Sequence, residues 1–105
     1  MFFKGFRDEF KVQSFVSRVE DANHKFRTDF LDETTYHLTA AKKALADIQA
    51  AKLESKLTKV GWEYIVKICS ELKNKTLRVG LDQMVRDCEY ISEYANRMIS
   101  LAPTD

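Results

Sequence analysis

Apolar residues return every three or four positions along most of the chain, which is the spacing of one face of an α-helix. The first stripe of this kind runs from Phe3 to Phe30. Three more span residues 38–48, 57–72 and 77–98, and the last of them is the most regular. The pattern predicts an all-α protein, folded as an antiparallel bundle of about four helices.

The stripes slip out of phase between the predicted helices, and residues that favour helix N-termini stand near each slip. We expect Asp32 or Thr34 to cap the second helix, Ser55 the third and Thr76 the fourth. An alternative architecture has fewer, longer helices in a dimeric coiled-coil hairpin, because a supercoil can absorb phase slips of this size.

Composition supports helices in one domain. The 105 residues include only 3 glycines and 1 proline, whereas sheet proteins need frequent turn residues. A chain of this length is sufficient for a modest core, so residues 1–105 are predicted to form a single helical domain.

The charge of the chain is nearly balanced overall but uneven along its length. Seventeen basic and sixteen acidic residues give a net charge of +1, which argues against a dedicated duplex-DNA binder. The basic residues are concentrated in the middle of the chain, where Lys52, Lys56 and Lys59 could line one helix face and bind an anion or nucleic acid. A solvated helix surface is the simpler interpretation, so nucleic acid is possible but not favoured.

The apolar segments and the cysteines suggest where the protein resides. No run of about twenty apolar residues predicts a membrane span, and the early charges do not fit a secretory signal. We therefore expect a cytoplasmic protein in which Cys69 and Cys88 are reduced core thiols, facing each other between the third and fourth helices. Because His24 and His37 are distant from them in sequence, we expect no metal, and we expect no cofactor.

Phenylalanine is the most unevenly distributed residue, because all seven lie within the first thirty positions. Those from Phe10 to Phe30 are predicted to pack in the core. Phe2, Phe3 and Phe6 lie beyond the end of a compact bundle and are predicted to form an exposed contact with another protein or a second copy.

Two histidines invite comparison with known families. Arg18 and His24 resemble the Arg–His motif of the HEPN ribonucleases, but that motif usually lies late in its bundle and here it lies early. His37 resembles the exposed histidine of histidine phosphotransfer domains, but the lysine and glycine that follow it in that motif are missing. A solvent-facing structural histidine is the favoured interpretation of His37.

The leading hypothesis is a non-enzymatic regulator, such as an adaptor, inhibitor or chaperone-like protein, that binds another protein and forms a homodimer. Its binding surface would combine the N-terminal phenylalanines with exposed residues of the fourth helix, namely Phe2, Phe3, Phe6, Tyr90 and Tyr94. The alternatives are a nucleic-acid-associated regulator and a helical-bundle enzyme of the HEPN or phosphotransfer type. No phosphate-binding loop or nucleophile motif supports an enzyme.

Overall fold

A computed structural model of the chain describes residues 2–27 and 31–101, with the side chains of residues 2–7 excluded. The elements within these residues are α1 (Phe2–His24), α2 (Leu31–Ala50), a 3-10 turn (Glu54–Lys56), α3 (Lys59–Arg78) and α4 (Asp82–Leu101). The prediction of an all-α protein with about four helices is confirmed.

The helices form two antiparallel hairpins. In the first, Lys25 just after α1 pairs with Glu33 at the start of α2 at 3.5 Å, and Arg18, earlier in α1, bonds to His37, later in α2, at 3.2 Å. In the second, Trp62 near the start of α3 and Tyr94 near the end of α4 have ring centroids 5.9 Å apart. The two members of each hairpin therefore run in opposite directions.

The hairpins lie side by side, with α1 against α3 and α2 against α4. The rings of Phe15 and Trp62 lie 6.1 Å apart, and the Asn23 amide donates to Glu71 Oε1 at 3.1 Å. Because later residues of α1 contact later residues of α3, these two neighbouring helices run parallel. Residues 51–58 make this possible by carrying the chain back across the end of the bundle.

All four helices contribute to one apolar core. Its largest fully buried side chains are aromatic or branched, namely Trp62, Phe15, Leu38, Leu45, Ile48, Ile65, Leu72 and Ile91. Burying a side chain of this size stabilises the fold by about 1.5–3 kcal/mol, so the core is the main source of stability.

Asn23, the one polar interruption of the first apolar stripe, joins α1 to α3. It is 5% exposed, and its Oδ1 accepts a hydrogen bond from Lys75 Nζ at 2.9 Å. The same ammonium donates to the backbone carbonyl of Asn23 at 3.1 Å, near the C-terminus of α1 where a positive charge is favourable. Both the nitrogen and the oxygen of the buried amide thus hold the two helices together.

Glu54 ties the connection between the hairpins to the core. Its backbone carbonyl accepts the indole N–H of Trp62 at 3.3 Å, and its carboxylate accepts the hydroxyl of Tyr94 at 3.0 Å. These bonds satisfy the polar atoms of two buried aromatic side chains. The connection is therefore part of the folded unit.

The predicted helix caps are wrong. The N-cap of α3 is Thr58, whose Oγ1 accepts a backbone N–H at 3.4 Å, and Ser55 lies in the 3-10 turn before it. Asp32 and Thr34 both lie within α2, and the buried hydroxyl of Thr34 has no partner in the described part of the chain. Thr76 is buried inside α3, where its hydroxyl bonds to the preceding turn.

Two further boundaries differ from those of the apolar stripes. The first helix ends at His24, well before Phe30, which lies outside the described residues. Leu77, predicted to begin the fourth helix, belongs to α3 and is 53% exposed. The third helix therefore continues through the position at which the fourth stripe was expected to begin.

Residues with a left-handed backbone end α2 and α3. Lys52 has φ of 56° and Gly80 has φ of 71°. In each turn the N–H of the following residue donates to a carbonyl of the last helical turn. Leu53 donates to Ile48 at 2.9 Å and Leu81 donates to Thr76 at 3.0 Å, which is the Schellman pattern. Glycine adopts this conformation without strain, whereas the lysine carries a Cβ that opposes it.

We expect Lys52→Gly to raise the free energy of unfolding by about 0.5–1 kcal/mol and Gly80→Ala to lower it by about 1 kcal/mol. A Cβ at Gly80 would meet no atom within 4 Å, so its cost comes from the backbone alone. Urea denaturation followed by circular dichroism measures both effects. A loss of stability in Lys52→Gly would contradict this account of the turn.

Candidate functional site

The predicted contact residues at the N-terminus precede the part of α1 whose side chains the structure describes, which begins at residue 8. The side chains of Phe2, Phe3 and Phe6 lie outside it, although their backbone belongs to the helix. Phe10 is 63% exposed, whereas Phe15 is fully buried. The prediction that Phe10 belongs to the core is therefore wrong.

Helix register explains the exposure of Phe10. Each residue of an α-helix turns by about 100°, so positions 3, 6 and 10 share one side of α1. The step from Phe10 to Val12 is only two residues, a turn of about 200°, and places Val12 and Phe15 on the opposite side. This two-residue step, visible in the sequence, was the signal that sequence reasoning missed.

The two neighbours of α1 leave one of its sides uncovered. We call this the open side of α1 and define it by Phe10, Gln13, Ser14, Ser17 and Asp21. These residues line a shallow cavity of about 400 Å³, with Arg18 at its edge. The serines are small enough for another chain to approach the helix closely.

A second depression continues the open side toward the connection between the hairpins, at Lys56 and Leu57. It has a volume of about 560 Å³ and shares Gln13 and Ser17 with the first. Its other lining residues are apolar in part and charged at the rim, namely Val12, Val16, Leu57, Glu9, Glu20 and Lys56. The two depressions share lining residues and are therefore contiguous, and their combined lining mixes apolar, polar and charged side chains.

Arg18 is held in place at the edge of the open side. Its guanidinium donates to His37 Nδ1 at 3.2 Å and lies 5.2 Å from the ring centroid of Tyr36. His37 is 6% exposed, so the prediction of a solvent-facing histidine is wrong. A ring buried in this way does not suit an exposed phosphotransfer histidine.

The structure does not bring Arg18 and His24 together within one chain. Six positions along a helix correspond to a rotation of about 240°, so the two side chains leave α1 in different directions. Arg18 points toward α2 through its bond to His37, and His24 is exposed at the end of α1.

The two tyrosines predicted for the partner surface have different environments. Tyr90 is 48% exposed, with the Lys42 ammonium 6.0 Å from its ring centroid, and so lies on the α2–α4 side. Tyr94 is 8% exposed and bonds to Glu54, so its prediction as a surface residue is wrong. Burial, together with the bond to Glu54, raises the pKa of Tyr94. No described contact joins Tyr90 to the open side of α1.

The three lysines predicted to share a helix face surround the connection between the hairpins. Lys52 follows α2, Lys56 ends the 3-10 turn, and Lys59 is the first residue of α3. The prediction of a single helix face is therefore wrong. None of the three forms an ion pair with a described residue, so their charges remain available to solvent at this corner.

Cys69 and Cys88 are free, buried thiols that line the same small groove between α3 and α4, of about 170 Å³. Burial raises the pKa of both to about 12, and for Cys69 the neighbouring Cys88 adds to the effect. Since the thiolate is the reactive form, these thiols are poor nucleophiles near neutral pH.

The described residues give no support for a metal site or a membrane-spanning helix. They contain no group of three or more histidine, cysteine, aspartate or glutamate side chains placed to hold a metal ion. None of the described helices combines the length and apolar character needed to cross a membrane.

Comparison of the chain with protein-family models, with curated proteins and with solved structures finds no match.

Proposed function

We propose that this chain is a non-enzymatic protein that acts by binding another protein chain through the open side of α1, and that it self-associates through this side. The observation that carries the proposal is the exposure of Phe10, 63% of whose surface faces solvent in the middle of an ordered helix.

The energetics of Phe10 favour a contact. Burying a phenylalanine side chain fully is worth about 1.5–3 kcal/mol, and most of this gain is still unrealised in the isolated chain. Its neighbours Gln13, Ser14 and Ser17 are small or flexible and form a cavity rather than a ridge. A partner can therefore cover the ring without displacing bulky side chains.

We expect Phe10→Ser to weaken self-association by about tenfold or more, because the ring loses its buried surface in the complex. Light scattering and sedimentation over a range of concentrations measure the change. Circular dichroism should remain that of the wild type, since Phe10 contributes little to the core.

Leu77→Ser is the matched control. Leu77 is also an exposed apolar residue, at 53%, but it lies at the end of α3, away from the open side of α1. This variant should associate like the wild type. Self-association unchanged by Phe10→Ser, or a wild type that stays monomeric at millimolar concentration, would contradict the proposal.

A further inference from the structure

We infer that the surface between α1 and α2 binds a phosphate monoester, whose oxygens lie between Arg18 and Lys43. This surface contains a cavity of about 420 Å³, which we call the α1–α2 depression. Both cations line it, together with the hydroxyl-bearing residues Ser14 and Thr39. It meets the open side of α1 at Ser14 and Arg18 but faces α2, so the inference goes beyond the proposed function.

Arg18 enters the α1–α2 depression as a fixed charge that no carboxylate neutralises. Its Nη1 donates to His37 Nδ1 at 3.2 Å, and its guanidinium carbon lies 5.2 Å from the ring centroid of Tyr36. No acidic side chain in the described part of the chain forms an ion pair with it. A guanidinium carries several N–H donors, so those that His37 does not use are available to a ligand.

Lys43 supplies the second positive charge. It is exposed, and within residues 8–27 and 31–101 it has no ion-pair partner. Because the bond from Arg18 sets the level of His37, Lys43 lies about 9 Å further along α2. The small side chains of Ser14 and Ala40 line the depression as well. They leave room for an anion, on which the two long cationic side chains can close from either end.

Charge and donor geometry favour a phosphate monoester over a carboxylate. A phosphate monoester carries a charge of about −1.5 to −2 at neutral pH and three acceptor oxygens, which match two cations and two hydroxyls. A guanidinium pairs with two such oxygens at once, and an ammonium adds a point charge. The depression is several times larger than a phosphate group, so the organic part of the ligand has space beside Tyr36, which is 60% exposed.

Asp47 limits the site at its far end. This acidic residue also lines the depression, one helical turn beyond Lys43 and about 15 Å along α2 from the level of His37. Its carboxylate repels an anion, which therefore lies on the Arg18 side of Lys43. We expect Asp47→Asn to tighten phosphate binding by about twofold, because this repulsion is removed.

Nuclear magnetic resonance titration with inorganic phosphate and with phenyl phosphate tests the site, with chloride keeping the ionic strength constant. Amide shifts around residues 14–18 and 36–43 should saturate, with a dissociation constant of about 1 mM for phenyl phosphate and weaker binding of inorganic phosphate and acetate. Lys43→Gln should weaken binding by about threefold or more. Lys67→Gln, an equally exposed lysine on α3 with no ion pair to a described residue, is the matched control and should bind like the wild type.

The result is separable from that of the proposed function. Phe10 is not among the described residues that line the depression, so Phe10→Ser should bind phenyl phosphate like the wild type even where self-association is lost. Absence of saturable shifts, or an equal loss in Lys43→Gln and Lys67→Gln, would overturn the site. Acetate or inorganic phosphate binding as tightly as phenyl phosphate would overturn its assignment to a phosphate monoester.

Discussion

Trp62→Ala is expected to lower the free energy of unfolding by about 3–5 kcal/mol, a large part of the 5–15 kcal/mol typical of a domain. Trp62 is fully buried, and its ring packs against Phe15 at 6.1 Å and Tyr94 at 5.9 Å. Its indole N–H also holds the Glu54 carbonyl at 3.3 Å. The substitution therefore leaves a cavity and releases the connection between the two hairpins.

Urea denaturation followed by circular dichroism measures this loss, because Trp62 is the only tryptophan and fluorescence disappears with it. Trp62→Phe is the conservative control. It keeps an aromatic ring but removes the indole donor to the Glu54 carbonyl, which retains the backbone N–H of Leu57, so we expect a smaller loss of about 1–3 kcal/mol. A loss below about 1 kcal/mol in Trp62→Ala would show that the ring is not the centre of this core.

Alkaline pH is expected to destabilise the fold through the two buried thiols. The folded chain raises the pKa of Cys69 and Cys88 from 9.0 to about 12, mainly through burial. An unfolded thiol ionises near pH 9, whereas a folded one remains protonated up to about pH 12. The stability that the protonated thiols contribute is therefore fully present below pH 9 and is lost as the pH rises from 9.0 to about 12.

The size of the effect follows from proton linkage. At pH 11 each thiol should cost the folded state about 2–3 kcal/mol, and the two together about 5 kcal/mol. The free energy of unfolding, measured by urea titration at each half unit between pH 8 and about pH 11, gives the slope. Tyr94, whose pKa is also raised by burial, adds to the loss above its ordinary range.

A double variant, Cys69→Ala with Cys88→Ala, isolates the thiols. It should be less stable than the wild type at pH 8 but should lose much less stability between pH 9 and pH 11. Equal slopes in the two proteins would mean that other groups cause the alkaline transition. Ser70, an exposed residue next to Cys69, offers a control through Ser70→Ala, which should keep the wild-type slope.

Local periodicity was enough to predict the helices themselves. Apolar positions spaced by three and four marked each helix, and the scarcity of glycine and proline excluded frequent turns. The boundaries were less accessible. Leu77 fits the spacing of the fourth stripe, but the left-handed turn at Gly80 ends α3 after it, so the break depends on backbone geometry three residues later.

The sites depended more strongly on packing. The interface at Phe2, Phe3 and Phe6 stays a prediction, because their side chains lie outside the described residues. Phe10 was wrongly predicted to lie in the core, because a stripe of phenylalanines and a stripe of valines were merged. They face opposite sides of α1, and only the positions of α2 and α3 show which side is buried. Likewise, Tyr94 is buried and its hydroxyl donates to Glu54, which lies 40 residues away in sequence.

By itself, the sequence determined that this chain is helical and where its phenylalanines and charges are concentrated. Only the tertiary structure decided which sides meet. It turned Phe15 inward and left Phe10 in solvent, buried His37 under Arg18, and placed α1 parallel to α3. The physical reason is that periodicity is set by the local geometry of one helix, whereas burial depends on neighbours that are distant in sequence.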